Sequence, residues 1–421
     1  MNHPVLHSFL GFFALHAIAW VLSERRGRFA ARPVFAGMVL TLALGGILLK
    51  VPVVSEAFLA ANNLITVLQN ATDVGTSFVF GYLGGAPLPF AESYPGSSFI
   101  LATRALPLVI VASALSSLLF YWGVLPWVVR GFAWVLERTM GIGGSVGLAA
   151  AANVFVGMVE APLFVRPWLA RMTRSELFVT MSCGMATIAG TVMVLYAGIL
   201  GKVIPDILGH LLIASILATP AAIAVSLLMV PPERSESGAA SREASLIPTS
   251  EARSTMDAIT RGTLDGASLY INIVAMLLAL VALVALANGV LAWFPQVGDA
   301  PLTLQRMLGW VMAPLVWLMG IPWPEAVTAG ALMGTKTVLN ELIAYIDLSN
   351  LPQDTLSSRT ELIMIYAMCG FANLGSLGIM IGGLCTMAPE RRDDIVALGA
   401  RTVISGTLAT CIAGSVVGIF Y

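Results

Sequence analysis

The chain has 421 residues, of which 58% are hydrophobic and only 11% charged, with a net charge of −1 and a mean hydropathy of +0.88. A soluble domain carries roughly 25% charged residues, so the composition excludes an ordinary water-soluble fold and points to lipid as the solvent. The near-zero net charge argues against a nucleic-acid partner, and the four cysteines (Cys183, Cys369, Cys385, Cys411) all sit in apolar text, with no disulfide framework or metal-ligand spacing.

Charge-poor apolar stretches long enough to cross roughly 30 Å of hydrocarbon fall at 6–23, 33–50, 98–121, 176–200, 207–230, 267–293, 361–386 and 396–420. The first begins almost at Met1, with no basic leader and no small-residue cleavage site before Glu24, which predicts a retained helix. Two further stretches, 141–165 and 320–346, are broken by Gly and Pro and carry the acidic residues Glu160 and Glu341. These predict re-entrant hairpins, because broken helix survives at membrane depth only where protein or water satisfies its backbone. The expected fold is therefore an all-α polytopic membrane protein with eight transmembrane helices and two re-entrant hairpins. Its expected parts are N-terminal scaffold and interfacial helices over 1–140, a first hairpin with an interrupted helix over 141–205, and scaffold helices over 206–318. A second hairpin with an interrupted helix follows over 319–386, then a C-terminal scaffold helix over 387–421.

Basic residues are retained on the cytoplasmic side during insertion. Arg25, Arg26, Arg28 and Arg32 fix the first loop inside, and alternate threading brings twelve more arginines, Arg174, Arg391, Arg392 and Arg401 among them, to that side, sixteen of the 22 basic residues. Both termini are then periplasmic, the location is the inner membrane, and 232–262 is a polar, mobile cytoplasmic linker.

An internal repeat organises the rest. Met140-Gly141-Ile142 recurs as Met319-Gly320-Ile321, Glu160 as Glu341, Arg174-Ser175-Glu176-Leu177 as Arg359-Thr360-Glu361-Leu362, and Cys183-Gly184-Met185-Ala186 as Cys369-Gly370-Phe371-Ala372. The order is kept while the offset drifts from 179 through 181 and 185 to 186 residues. Two spans lie between the copies, so they are expected to be inverted. Paired hairpins and interrupted helices in inverted copies place a binding site near the midplane.

Thr187-Ile188-Ala189-Gly190 and Asn373-Leu374-Gly375-Ser376 are the expected breaks, each joining small residues to a polar side chain in mid-span. Glu160 and Glu341 are expected to face a polar cavity, since an intramembrane carboxylate is costly, with Lys336 the counter-charge expected on the second hairpin. His3, His7, His16 and His210 show no zinc spacing, and no nucleophile motif or phosphate-binding loop is present, which leaves an enzyme as the weak reading.

Several segments carry a family resemblance. Gly157-Met158-Val159-Glu160-Ala161-Pro162-Leu163, Asn340-Glu341-Leu342-Ile343-Ala344-Tyr345, Cys369-Gly370-Phe371-Ala372-Asn373-Leu374, Ala388-Pro389-Glu390-Arg391-Arg392 and Gly75-Thr76-Ser77-Phe78-Val79-Phe80-Gly81 are similar, in order, to segments of the concentrative nucleoside transporter family. The resemblance implies a homotrimer, with a mobile part formed by the hairpins and interrupted helices moving as an elevator. It implies that Glu341, Asn373 and Ser376 serve ribose hydroxyls, that Phe371 lines the pocket, and that Gly157, Met158, Val159, Glu160 and Val192 line the base side. It further implies Na⁺ held by Asn153, Val156, Thr187 and Ile188, with no other cofactor. The family usually has Gln and Thr where this chain has Met158 and Val159, so base recognition by shape and apolar contact is expected. A proton-coupled carrier of a modified nucleoside or another ribosylated solute is the alternative, and a non-transporting nucleoside sensor a further one.

Overall fold

In the computed structural model, residues 4–28, 30–92, 98–158, 161–201, 204, 206–232, 252–297, 301–352 and 354–421 are described, with side chains at all of these but 52–65 and 167. The helices in chain order are α1 (Pro4–Val21), α2 (Ala31–Lys50), α3 (Pro52–Phe80), α4 (Leu101–Arg104), α5 (Leu108–Tyr121), α6 (Val124–Met140) and α7 (Gly144–Asn153). There follow α8 (Arg166–Leu169), α9 (Arg174–Ala186), α10 (Gly190–Leu200), α11 (Ile207–Met229) and α12 (Thr255–Leu291). The chain ends with α13 (Leu304–Leu318), α14 (Trp323–Val338), α15 (Glu341–Ser349), α16 (Ser358–Met368), α17 (Leu374–Met387) and α18 (Arg392–Phe420).

The chain is all-helical, as expected for a membrane protein of this composition. Among the described residues, seven helices or helix runs are long and apolar enough to cross a bilayer; the expected span 361–386 is not one of them, and α13 with α14 form an apolar pair bent by 117°. The stretch 98–121 is divided at Pro107 into α4 and α5, because proline lacks the amide that would continue the ladder. The linker is shorter than its composition suggests. Ser254 caps α12 by accepting from the Asp257 amide at 3.1 Å, and Asp257 Oδ2 accepts from the Arg253 amide at 2.8 Å. Residues 255–262 are therefore the first two turns of a 37-residue helix, while 233–251 lie outside the described residues.

α3, α6 and α13 did not stand out as apolar spans. α6 and α13 interleave Arg and Trp with apolar residues, which marks a half-exposed face rather than a lipid-buried cylinder.

Packing separates two groups of helices. α12 lies against α5 through a glycine face: a Cβ on Gly262 would stand 2.7 Å from the Ser113 carbonyl oxygen, and one on Gly266 2.8 Å from Ile110 Cα. Outward, α12 exposes Ile271, Leu278, Leu283 and Leu286. α11 and α18 instead are buried over most of their length among α1, α2, α9 and α16.

The two Arg-x-Glu-Leu elements both begin helices. Arg174 opens α9, whose start is a capping box between Thr173 and Glu176. Arg359 lies in the first turn of α16, where Ser357 caps the Thr360 amide. Arg174 pairs with Glu24 at 3.0 Å and with Asp394 at 3.2 Å, at the end of α1 and the start of α18. Arg359 donates to Ser8 Oγ and to the Gly418 and Gly320 carbonyls at 2.7 Å each, and to the Pro4 carbonyl at 3.1 Å. Pro4 and Ser8 lie at the start of α1 and Gly418 at the end of α18, so matching residues of the two copies stand about 27 Å apart along an 18-residue helix.

The glycines of the repeated Met-Gly-Ile element also match. Gly141 and Gly320 have φ of +67° and +100°, left-handed values that favour glycine, and each turns the chain into a hairpin.

Replacing Arg359 by Met leaves several carbonyls without their donor and is expected to destabilise the bundle by about 2–4 kcal/mol. Thermal unfolding in detergent would show this, with Arg359→Lys recovering only part because one ammonium cannot span the same acceptors.

Candidate functional site

α7 leads to the first hairpin tip. Asn153 is its last residue, and the chain continues through Val154–Met158 to a short 3-10 turn at Ala161–Val165. Val159 and Glu160 lie outside the described residues. Gly157 and Met158 are buried. Opposite them, α9 stops at Ala186 and α10 starts at Gly190, so the first break falls where the sequence placed it. Thr187 Oγ1 lies 3.0 Å from the Asn153 carbonyl, and the Gly190 amide donates to the Phe155 carbonyl at 3.1 Å. Gly184 lets the tip approach: a Cβ there would stand 3.0 Å from Met158 Cβ and 3.3 Å from Asn153 Oδ1.

The second hairpin turns at Leu339 and Asn340 between α14 and α15. Asn340 caps α15 through the Ile343 amide at 3.0 Å, which sets Glu341 at the helix start. The second break covers Cys369–Asn373, earlier than the expected Asn373–Ser376, which form the cap and first turn of α17. The reason lies in Asn373, whose Oδ1 accepts from the Ser376 amide at 2.7 Å, so this residue starts a helix rather than interrupting one.

Three side chains then meet at one carboxylate. Asn373 Nδ2 donates to Glu341 Oε2 at 3.0 Å, and the Tyr196 hydroxyl donates to Glu341 Oε1 at 2.5 Å. All three are buried. A carboxylate offers about four lone-pair positions, so acceptor capacity remains for a further donor. Lys336 does not pair with Glu341: its Nζ donates to the Ala367 carbonyl at 3.3 Å and lies 3.2 Å from Thr410 Oγ1. Neutral donors on α10 and α17 hold the carboxylate instead.

The two halves touch. The Phe371 amide donates to the Thr187 carbonyl at 3.3 Å, and a Cβ on Gly370 would stand 2.9 Å from the Ala186 carbonyl oxygen. Val192 lies one turn before Tyr196 on α10 and, like it, is buried. Of the expected site residues, Glu341, Asn373 and Ser376 form one cluster, and Asn153 and Thr187 another, joined through Phe371. Ile188 is buried within the first break, and Val156 lies in the turn after α7. Tyr196 was missed, although a phenol at i+4 from Val192 in an otherwise apolar helix was the available signal.

A cation has an acceptor waiting. Asn153 Nδ2 donates to the Ala149 carbonyl at 2.9 Å, but the buried Oδ1 has no hydrogen-bond partner. An orphaned amide oxygen beside a hydroxyl suits a hard alkali ion. Among the described residues no cluster of His, Cys, Asp or Glu could hold a transition metal.

Residues 210–418 match the family described as Na⁺ dependent nucleoside transporter C-terminus, 10–83 its N-terminus, and 102–203 a unit described as nucleoside recognition. The uncharacterized transporter YutK of Bacillus subtilis is 36% identical over 417 residues, 99% of each chain. Sodium/nucleoside cotransporter 2 of Rattus norvegicus is 34% identical over 99% of this chain, which spans 63% of that longer protein. CNTnw solved in an inward-facing substrate-bound state superposes with a TM-score of 0.88 at 37% identity, covering 99% of this chain and 98% of that one. A CNTnw variant in an outward-facing state gives 0.89 at 36% identity, over 99% and 98%.

Tyr196→Phe removes a hydrogen bond to a buried carboxylate and is expected to destabilise the protein by about 2 kcal/mol. Melting in detergent should show a larger loss than Tyr345→Phe, whose hydroxyl donates to the neutral Ile365 carbonyl rather than to a carboxylate.

Proposed function

The chain belongs to the Na⁺-dependent nucleoside transporter family, and on that premise we propose that it imports nucleosides across the inner membrane by symport with Na⁺. It is a transporter and not an enzyme. The observation that carries the reading is the buried Tyr196–Glu341–Asn373 cluster set directly against the first helix break. A carboxylate held by neutral donors, with acceptor capacity left over, suits a vicinal diol, and Ser376 lies in the same helix turn. In this reading Glu341, Asn373 and Ser376 take the ribose, Phe371 closes the pocket, and Gly157, Met158, Val159, Glu160 and Val192 take the base.

The coupling ion is transported with the solute. Asn153 Oδ1, with the hydroxyl of Thr187 and the carbonyls of Val156 and Ile188, would hold it, and its bound charge would favour the loaded site. The orphaned oxygen supports this assignment. The chain's similarity to both inward-facing and outward-facing forms of one relative supports alternating access. We assign the movement to the hairpins and interrupted helices as an elevator-like displacement. The exposed apolar row on α12 fits packing within a homotrimer, and the opposed settings of Arg174 and Arg359 fit two inverted copies with both termini periplasmic.

Uptake of labelled uridine and adenosine into proteoliposomes tests the proposal. Accumulation should require inward Na⁺ and fall at least roughly tenfold in Asn153→Leu, the loss of about 1.4 kcal/mol of ion binding or more. Full uptake in sodium-free buffer under an imposed pH gradient would replace sodium by the proton. Ligand binding without counterflow would make the protein a sensor.

Met158 is buried against Gly184, an apolar surface where hydrogen-bonding side chains are usual in the family. Met158→Gln with Val159→Thr should shift the adenosine-to-uridine uptake ratio by about tenfold, the worth of one or two hydrogen bonds. An unchanged ratio would remove these positions from the base side.

A further inference from the structure

Lys336 takes no part in the site as drawn so far, yet it is fully buried, 0% exposed, in the last turn of α14. Among the described residues no carboxylate lies within 4.0 Å of it; its hydrogen-bond partners there are the Ala367 carbonyl and the Thr410 hydroxyl. Glu341 is the carboxylate near enough to act on its charge. A buried ammonium is costly without compensation, so the surroundings that accept it deserve a physical reason.

Two features supply one. Ala367 belongs to the last turn of α16, where helix carbonyls lack intrahelical partners and the dipole is negative. Across the break, Asn373 heads α17, where the dipole is positive, and its side chain donates to Glu341. The interrupted helix is thus bracketed by opposite charges, a cation at the carboxyl end of its first half and an anion at the amino end of its second. The other feature is the repeat. Within the hairpins the two copies are offset by 179 to 181 residues, and Lys336 lies 180 beyond Val156, a residue assigned to the sodium site. In the first copy that site stands beside Thr187 and Ile188, at the carboxyl end of α9.

We propose that Lys336 is a built-in cation: its ammonium occupies in the second copy the place that the transported sodium ion takes in the first, and its charge balances Glu341 in the sugar pocket. The proposal rests on the sodium and ribose assignments above. On this reading one external ion serves a site with two cation positions, the second filled by a side chain that never dissociates. Removing the side chain would leave a gap lined by the Ala367 carbonyl and the Thr410 hydroxyl, hard oxygens that suit a second alkali ion.

Two measurements test it. Uridine uptake by wild-type proteoliposomes should follow sodium with a Hill coefficient near 1, and Lys336→Ala should raise it toward about 2 while moving half-saturation roughly tenfold upward. A wild-type slope and half-saturation in Lys336→Ala would overturn the proposal. Independently, the ligand-free protein in detergent should melt at a lower temperature as Lys336→Met, with at least about half the loss recovered in Lys336→Met/Glu341→Gln, where both charges are gone. A double variant no more stable than Lys336→Met would also overturn it. Wild-type vesicles that take up no nucleoside would sink the transport reading itself, while the melting series still decides whether Lys336 balances Glu341.

Discussion

The structure depends on one constraint: a backbone amide or carbonyl inside the bilayer has no water to turn to. Each helix break therefore had to be closed by protein. Phe155, Thr187 and Phe371 close the two breaks against each other through backbone hydrogen bonds, and the glycines at 184, 190 and 370 allow the strands of irregular chain to approach that closely. The Asn153 amide oxygen is among the buried polar atoms left unsatisfied, and with the free capacity of Glu341 it is what the proposed solute and ion would use. The binding groups are thus the residue of a packing problem solved almost everywhere else.

Much of this was legible in the residues. The ordered repeat pointed to both helix breaks, because glycine and polar residues are conspicuous in apolar text. The first break was placed correctly since Thr187 and Gly190 flank it. The second was placed several residues late. Gly375 suggested a breaker, whereas Asn373 acts as a cap and leaves the gap before it. α12 was read too short because Asp257, Arg261 and Asp265 mask its first turns in a hydropathy profile, although Ser254 and Asp257 begin the helix.

The charged residues were harder. Proximity in sequence suggested Lys336 as the partner of Glu341, but pairing depends on which way two side chains leave the backbone across the Leu339–Asn340 turn, and sequence distance does not encode that. The partners found, Tyr196 and Asn373, come from 145 and 32 residues away. Contacts over such separations are set by how helices cross, and only the assembled bundle reports them.

The two repeat arginines tie the bundle at its opposite ends by different means. Arg174 and Arg401 reach the carboxylate of Glu24, and Arg174 and Arg391 reach Asp394, in partly exposed ion pairs. Arg359 meets, among the described residues, neutral oxygens, three of them backbone carbonyls. Mobile ions weaken the first kind of tie and barely touch the second. Ionic strength therefore acts on this molecule asymmetrically, loosening the face that bears Glu24 while the opposite face keeps its grip.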